Sequence, residues 1–568
     1  MRVRLLSGLA ICLLLPGQAA AQQADPLRLV PAQAELLVKV ENPRQLFNAV
    51  YQHDLVQELL RIDTIRELYD TTNARRFLQL LAYFEKKLGQ SGLELLDQVA
   101  GGGIVLAAKF SDPGAALVVI QGKNEKMVSD FYQLGLEVVE QELGRQEAKQ
   151  KIKKGTYRKI DGVRLGDKVF LAQMGGNIVF ATDNKLLQEV IDIHLDAKKN
   201  ASQGAAFQAA RKTLPKEPLL WVWLDMEKVR QIPQVKTALE TLSIEPQSLI
   251  IQGGLIDILK RTPFVGASLE QQGKDFLIAV RMPVGRQGMA PISAMVLPED
   301  DRGSLPLLHP PGTLASVSYY LDLGKLWENR GKILNEKQAK ALEDFDQNSG
   351  RFLAGSKLSM LLKQAGRHQR WVVAQEPTSS YKTKPATPIP SFAVIIPQRA
   401  PEFSTSMNTI LRGAALLGGL QFSLKMVEEK RGEHTIVSYF FPEDKKVDND
   451  PNGFRFNFSP CFAAVGDQFI ASSTVELARD LVDLVAKEKG VASPATMRLH
   501  LFASGAAQAL KGIEDQLLVQ TILSQGLPPA SARKQLDAFL AVVDRLGSLQ
   551  FEVNYGKNDF RYDIRWKR

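Results

Sequence analysis

Cysteine is almost absent from this chain. Of 568 residues only Cys12 and Cys461 are cysteines, so removal of an N-terminal segment carrying Cys12 leaves no intramolecular disulfide to form. Stability must then come from packed cores. Histidine is scarce as well, at His53, His194, His309, His368, His434 and His500. No two of them stand at a metal-binding helical spacing and none joins a cysteine or acidic cluster, which excludes the common zinc motifs. Beyond the first residues no apolar run approaches the about 20 residues that a bilayer span needs. The best, Leu411–Leu424, is broken by Arg412, Gly413, Gly418 and Gly419. Nor is there a block of one charge. The 71 basic and 62 acidic residues, net charge +9, are interleaved, which argues against nucleic acid as a partner.

Catalytic and cofactor motifs are missing too. Gly101-Gly102-Gly103 precedes a strand rather than opening a helix after one, the wrong context for phosphate or dinucleotide binding. Phe502-Ala503-Ser504-Gly505 lacks the first glycine of a nucleophile elbow. Asp448-Asn449-Asp450-Pro451-Asn452-Gly453 places oxygen ligands at alternate positions, as a calcium loop does, but the twelfth position is Ser459 rather than Glu. A polar hairpin loop accounts for the same residues. Cys461 reads as a small buried hydrophobe and His194 as a partly buried imidazole beside a helix face. The reading leans away from an enzyme, names no catalytic, cofactor-binding or metal residue, and expects no cofactor.

The N-terminus, by contrast, carries a pattern. Arg2 and Arg4 precede the apolar run Leu5–Leu15, Pro16-Gly17 break it, and small residues follow at Ala19 and Ala21. This predicts a cleaved signal peptide over residues 1–21, with Ala19 and Ala21 at the processing site, and a periplasmic or extracellular mature chain without a transmembrane span.

The strongest pattern is a repeat. Phe264–Arg281 and Leu546–Arg565 both run strand, a Gly-Lys turn (Gly273-Lys274-Asp275, Gly556-Lys557-Asn558-Asp559), Phe, then an alternating strand ending in Arg, a hairpin signal. Earlier elements repeat in order. Pro31-Ala-Gln-Ala34 and its strand match Pro311-Gly-Thr-Leu314 and Ala315–Leu321. Leu46-Phe47 match Leu326-Trp327, and Gly175–Asp183 match Gly466–Ser473 with a gap. The chain therefore predicts two tandem α+β repeats, residues 22–283 and 307–568, joined by a Gly/Pro-rich linker over 284–306. Each is expected to be a mainly antiparallel sheet with helices packed on one face. Three short strands are expected around Thr156–Ile160, Val169–Gln173 and Ile178–Ala181, and Gln375–Pro390 reads as a Pro/Ser/Thr/Lys-rich mobile loop. Trp221/Trp223 and Phe454/Phe456/Phe458 alternate as aromatic strand faces, and Arg145–Lys159 is a basic helix end and edge strand.

With the signal, the Pro31-x-x-Ala34 strand, the Asn42-Pro43-Arg44-Gln45-Leu46 helix start and the repeated hairpin in view, the chain resembles a family of exported bacterial proteins known as a domain of unknown function. The resemblance implies export and brings no catalytic residues. Three functions follow as expectations. The first is a non-enzymatic binding or scaffold protein at the cell envelope, with an envelope protein or polymer as partner. The others are a hydrolase of an envelope polymer or peptide and a carrier of an apolar ligand.

Overall fold

Residues 25–60, 71–111, 115–145, 152–242, 246–298, 302–445, 450–490 and 492–568 are described by the structure, a computed structural model. Ala19, Ala21, Asp448 and Asn449 lie outside them. The fold is α+β, with about twenty α-helices around one antiparallel sheet.

Ten strands come from the N-terminal part. They are β1 (Leu36–Val40), β2 (Gly103–Lys109), β3 (Ala115–Gln121), β4 (Lys153–Tyr157) and β5 (Ile160–Leu165), then β6 (Val169–Met174), β7 (Asn177–Ala181), β8 (Leu220–Asp225), β9 (Phe264–Gln272) and β10 (Asp275–Met282). Ten more follow: β11 (Thr313–Tyr320), β12 (His368–Ala374), β13 (Ser391–Pro397), β14 (Lys425–Arg431) and β15 (His434–Phe440), then β16 (Cys461–Val465), β17 (Gln468–Ser472), β18 (Ala495–Phe502), β19 (Ser548–Tyr555) and β20 (Phe560–Lys567). In space the first ten run β4-β5-β6-β7-β3-β2-β1-β8-β9-β10. From there β10 pairs with β20, and the ladder continues β19-β18-β11-β12-β13-β17-β16-β15-β14. Read outward from the β10–β20 pair, the strand order is the same on both sides.

Helices cover both faces of the sheet, not one. On one face the helix Asn184–Asp196 sets Leu187, Val190 and Ile191 against Leu37, Val105, Leu117 and Val179. The helix Val475–Ala486 does the same with Leu477, Leu481 and Val485 against Val372, Ile395 and Ile470. On the opposite face Val128 and Tyr132 of the helix Glu125–Arg145 meet Leu171 and Ile178, and Phe403 of the helix Glu402–Phe422 meets Phe462 and Phe469. The reason is in the strands. Val118-Val119-Ile120 and Ile178-Val179-Phe180 are unbroken apolar runs, and a strand that offers apolar side chains to both faces needs cover on both. Each fully buried Leu, Ile or Val contributes roughly 1.5–3 kcal/mol.

Four strands, not three, precede the helix Asn184–Asp196. The stretch Thr156–Ile160, expected as one strand, spans the end of β4, the two-residue turn Arg158-Lys159 at φ +49° and +68°, and the first residue of β5. Left-handed backbone is strained at such residues, and Arg158 is held there by Asp192 (2.8 Å) and Asp196 (2.6 Å). The connection 284–306 contains the helix Pro291–Val296, whose Met295 is completely buried. Gly285 lets it approach the β19–β20 turn, since a Cβ there would lie 2.2 Å from the Lys557 carbonyl oxygen. The loop 375–390 is pinned rather than loose: the Tyr381 hydroxyl donates to the Phe458 carbonyl (2.8 Å) and accepts from the Phe441 amide (3.0 Å).

The two faces of the central strands differ in kind. One carries, across successive strands, Lys39, Trp221, Ser268, Ala279, Asp563, Glu552, Arg498, Ser318 and Arg370. The other carries a row of eleven apolar residues on eleven adjacent strands. From its centre at Ile278 and Ile564 it runs through Leu269, Leu220, Val40 and Ile104 one way. The other way it runs through Phe551, Leu499, Val317, Trp371 and Val394. None of the eleven is fully buried.

A buried cation on the polar face ties down the segment that precedes the first strand of each ten. Lys39 bonds Asp25 (2.9 Å) and Glu41 (2.6 Å). Arg370, with no solvent exposure, bonds Glu488 (2.8 Å), the Pro306 carbonyl (3.1 Å) and Gln468. Truncating one partner of such a pair leaves the other charged and unpaired. Arg370→Ala is therefore expected to cost about 3–5 kcal/mol, read as a lowered urea midpoint, whereas the exposed pair Arg561–Asp559 should cost under about 1 kcal/mol when broken.

Candidate functional site

Two clefts lie against the β10–β20 junction, one on each face. On the apolar face Phe276 and Trp566 are cross-strand partners and stack with ring centroids 5.7 Å apart. His53 lies over both rings, at 5.6 and 4.8 Å. Its placement follows from local structure, because it is the N-cap of the helix Asp54–Leu59. Nδ1 accepts from the Leu55 amide (3.3 Å), which assigns the proton to Nε2, and Nε2 donates to the Lys274 carbonyl in the β9–β10 turn (3.2 Å).

Beside His53 opens a cleft of about 580 Å³. One wall is the helix Pro43–Tyr51 with its cap, which presents Asn42, Gln45, Asn48 and Gln52. Their spacing of three, three and four puts four side-chain amides on one helix face. The other wall is Gln271, Gly273 and Lys274 of the hairpin, with Arg568 from the C-terminal end of the chain. The cations of this lining are met by carboxylates: Arg44 lies 4.0 Å from Asp97, Arg568 lies 3.8 Å from Glu58, and Lys274 and Arg568 share Asp54. Lys274 (3.0 Å) and Arg568 (2.8 Å) both bond it, and the Lys274 hydrogen bond holds its pKa below the usual carboxylate range. Amides donate and accept, and the cations attract anions. Among the described residues of this lining no nucleophile sits beside a base.

The second cleft, about 370 Å³, is on the polar face under the segment Pro306–His309. His309 meets His500 edge-on at 5.2 Å, and His500 lies 3.8 Å from Phe502. Burial lowers the pKa of both imidazoles; His500 falls to about 4, with His309 and Lys567 adding to the effect. Arg498 donates to Ser304 Oγ (3.0 Å) and to the Leu305 carbonyl (2.5 Å), so the segment is fastened to the sheet. Glu552 and Asp563 are direct cross-strand neighbours, and Arg281 bonds Asp563 (2.6 Å). Next to them burial pushes the Glu270 carboxyl up, with the Asp563 charge adding and Arg281 opposing. Glu270 thus holds its proton to higher pH than an ordinary carboxyl, near the Arg281–Asp563 ion pair.

The residues singled out in the sequence fall elsewhere. Asp450 bonds Arg455 (2.7 Å) and the Phe454 amide (2.6 Å), which commits its carboxylate within its own loop. Cys461 is buried, its thiol pKa pushed up by burial, with Sγ 3.2 Å from the Thr474 carbonyl. His194 is half-buried and its pKa falls by desolvation. Trp221 and Trp223 pack on Phe207 in the core. Phe454 and Phe456 lie in a 3-10 turn with Phe458 as its C-cap, not on a strand, because Gly453 enters that turn at φ +64°. Lys153 and Lys154 lie exposed on the edge strand β4. Sequence reasoning missed His53, the amide stripe, the His309–His500 pair and Glu270. Only the amide stripe had a signal, its helical spacing.

A histidine whose folded-state pKa is depressed contributes stability that is present above its unfolded pKa and lost as pH falls through the folded one. For His500 the window runs from about 6.5 down to about 4. Acidification across it should cost about 1 kcal/mol once solvent screening of a half-exposed ring is allowed for. Urea midpoints at both ends of the window should converge more in His500→Gln than in the wild type.

No protein-family model and no curated protein matches the chain. Among solved structures, three crystal forms of TP0453 are similar to 47% of it. Form I has 9% identity and a TM-score of 0.23, with 81% of that chain covered. Form III has 8% identity and a TM-score of 0.25 over 82% of that chain, and form IV 6% and 0.26 over 84%.

Proposed function

We propose that the chain is an exported, non-enzymatic binding protein of the bacterial cell envelope, built from two copies of one α+β unit. The observation that carries this reading is the make-up of the cleft beside His53. Its walls come from the helix Pro43–Tyr51, the β9–β10 turn and Arg568, so ligand-binding groups from both ends of the chain converge on one surface. Amides and guanidinium groups there suit a polar, anionic envelope protein or polymer. The matching strand order outward from β10 and β20 supports the duplication. So does Pro26-Leu27…Pro31 beside Pro306-Leu307…Pro311 at the entry to each first strand. Export rests on the segment ending at Ala19 and Ala21.

A second reading, hydrolysis of an envelope polymer or peptide, is favoured by one observation, the Glu270 carboxyl on the polar face, whose pKa burial raises with the Asp563 charge adding to the effect.

Mature protein used as bait in an envelope extract is expected to begin at Gln22 and to retain a reproducible macromolecular partner. Lys274→Glu combined with Arg568→Glu should lower that retention about tenfold or more. An unchanged yield from the double variant, or no partner at all, would sink the binding reading. The hydrolase reading predicts product release from envelope polymer that Glu270→Gln abolishes.

A further inference from the structure

The sheet is covered unequally at two matching places. The helix Asn184–Asp196 follows β7 and the helix Val475–Ala486 follows β17, each opening on an N-cap, Asp183 or Thr474. Lys185, Leu186 and Glu189 therefore stand where Glu476, Leu477 and Asp480 stand. Beside the helix starts Lys109 pairs with Ala115 as Ala374 pairs with Ser391. The second set is covered. Leu477 and Ala374 have no solvent exposure, and Ser391 and Thr474 are buried. The first set is open: Asp183 and Lys185 are exposed, and Lys109, Ala115 and Leu186 are half-buried.

The difference lies in one connection. β2 and β3 are joined by residues 110–114, β12 and β13 by 375–390. The longer connection crosses the helix start, where the Ser380 amide donates to the Glu476 carboxylate. At the other place a groove of about 360 Å³ remains between Ala34, Ala108, Ala115 and Leu186. The covered place thus shows what such a groove holds. It is an irregular stretch of chain containing Pro377, with one backbone amide on a carboxylate and one acid, Glu376, close to positions 476 and 480.

Glu376 is poorly matched where it sits. Its Oε1 has no hydrogen-bond partner among the described residues, and burial, with the Asp480 and Glu476 charges adding, pushes its carboxyl up to about 7. In the open groove the place of Glu476 is taken by Lys185 and that of Ala374 by Lys109. Neither lysine has an ion-pair partner among the described residues. The carboxylates nearby are committed. Asp183 accepts from the Lys185 and Leu186 amides (2.6 and 3.2 Å), and Glu189 accepts from Gln33. An acidic peptide in this groove would set its carboxylate against lysine and lay its apolar atoms on Ala108, Ala115 and Leu186.

We propose that the groove docks an acidic, proline-containing peptide segment of a partner protein, laid across Ala115 and Leu186 with its carboxylate at Lys185. The stretch Gln375–Tyr381, of this chain or of a second copy, is not free to fill it. That stretch begins directly after β12, and Tyr381 is held by its two hydrogen bonds. The proposal rests on the two-copy part of the reading above and adds a site apart from the His53 cleft.

A fluorescein-labelled peptide with the sequence of Gln375–Tyr381 is the probe. Titrated with the full mature chain, it should show a saturable rise in anisotropy. Ala115→Trp, which fills the groove from its rim, should weaken binding at least tenfold, with circular dichroism and the urea midpoint showing that the variant is folded. Lys185→Glu in the chain and, separately, Glu376→Gln in the peptide should each weaken binding at least fivefold. A Glu376→Lys peptide should bind the Lys185→Glu chain at least fivefold more tightly than it binds the wild type.

Absence of saturable binding, or wild-type affinity in folded Ala115→Trp, would overturn the proposal. A concentration-dependent dimer that Ala115→Trp dissolves would assign the groove to a second copy instead. If an envelope partner is still captured while the peptide fails to bind, the groove is excluded as a docking site and the binding reading stands.

Discussion

The pairing of β10 with β20 is the interaction on which the rest of the structure depends. Each is the outer strand of a hairpin, and an outer strand presents a line of unpaired amides and carbonyls that invites aggregation. Here the two edges satisfy each other from Phe276–Trp566 to Met282–Phe560, with Arg281 and Asp563 closing an ion pair across them. The pairing makes one sheet of the twenty strands among the described residues. It leaves β4 and β14 as the outermost strands, both carrying exposed lysines of the kind that discourages further pairing.

Because a strand sends alternate side chains to opposite faces, one ladder yields two surfaces of different chemistry. On the polar face Asp563, Glu552 and Arg498 lie in one cross-strand line, and the segment Pro306–His309 roofs it. On the other, Ile278 and Ile564 meet among apolar neighbours and stay partly open. The polar face also holds serine hydroxyls with no hydrogen-bond partner among the described residues, Ser268, Ser316 and Ser318, all nearly inaccessible. Unsatisfied buried groups each carry a cost of about 1–3 kcal/mol, so the centre of this sheet is less optimised for stability than the cores built by the helices Asn184–Asp196 and Val475–Ala486.

Much of this was legible in the sequence. The α+β class, the hairpins and most strands follow from local alternation and turn chemistry, which act over a few residues. Cover on both faces was not read, although the apolar runs in β3 and β7 signal it. The polarity of Gln375–Pro390 concealed Tyr381, whose two hydrogen bonds reach residues 60 and 77 positions away. The amide stripe at Asn42, Gln45, Asn48 and Gln52 was visible in principle, but a polar helix face is usually solvated and nothing local says what it confronts.

What the sequence by itself determined is therefore the set of elements and their recurrence: which stretches alternate, where the chain turns, and that Phe264–Arg281 is echoed by Leu546–Arg565. What only the tertiary structure decided is that these two hairpins lie edge to edge, that His53 is fixed over Phe276 and Trp566, and that His309 meets His500. The physical reason is range. Propensity and periodicity are properties of neighbours in the chain. The clefts and the apolar row are properties of strand register across hundreds of residues, where a slip of one position would exchange Ile278 for Leu277 and turn each face into the other.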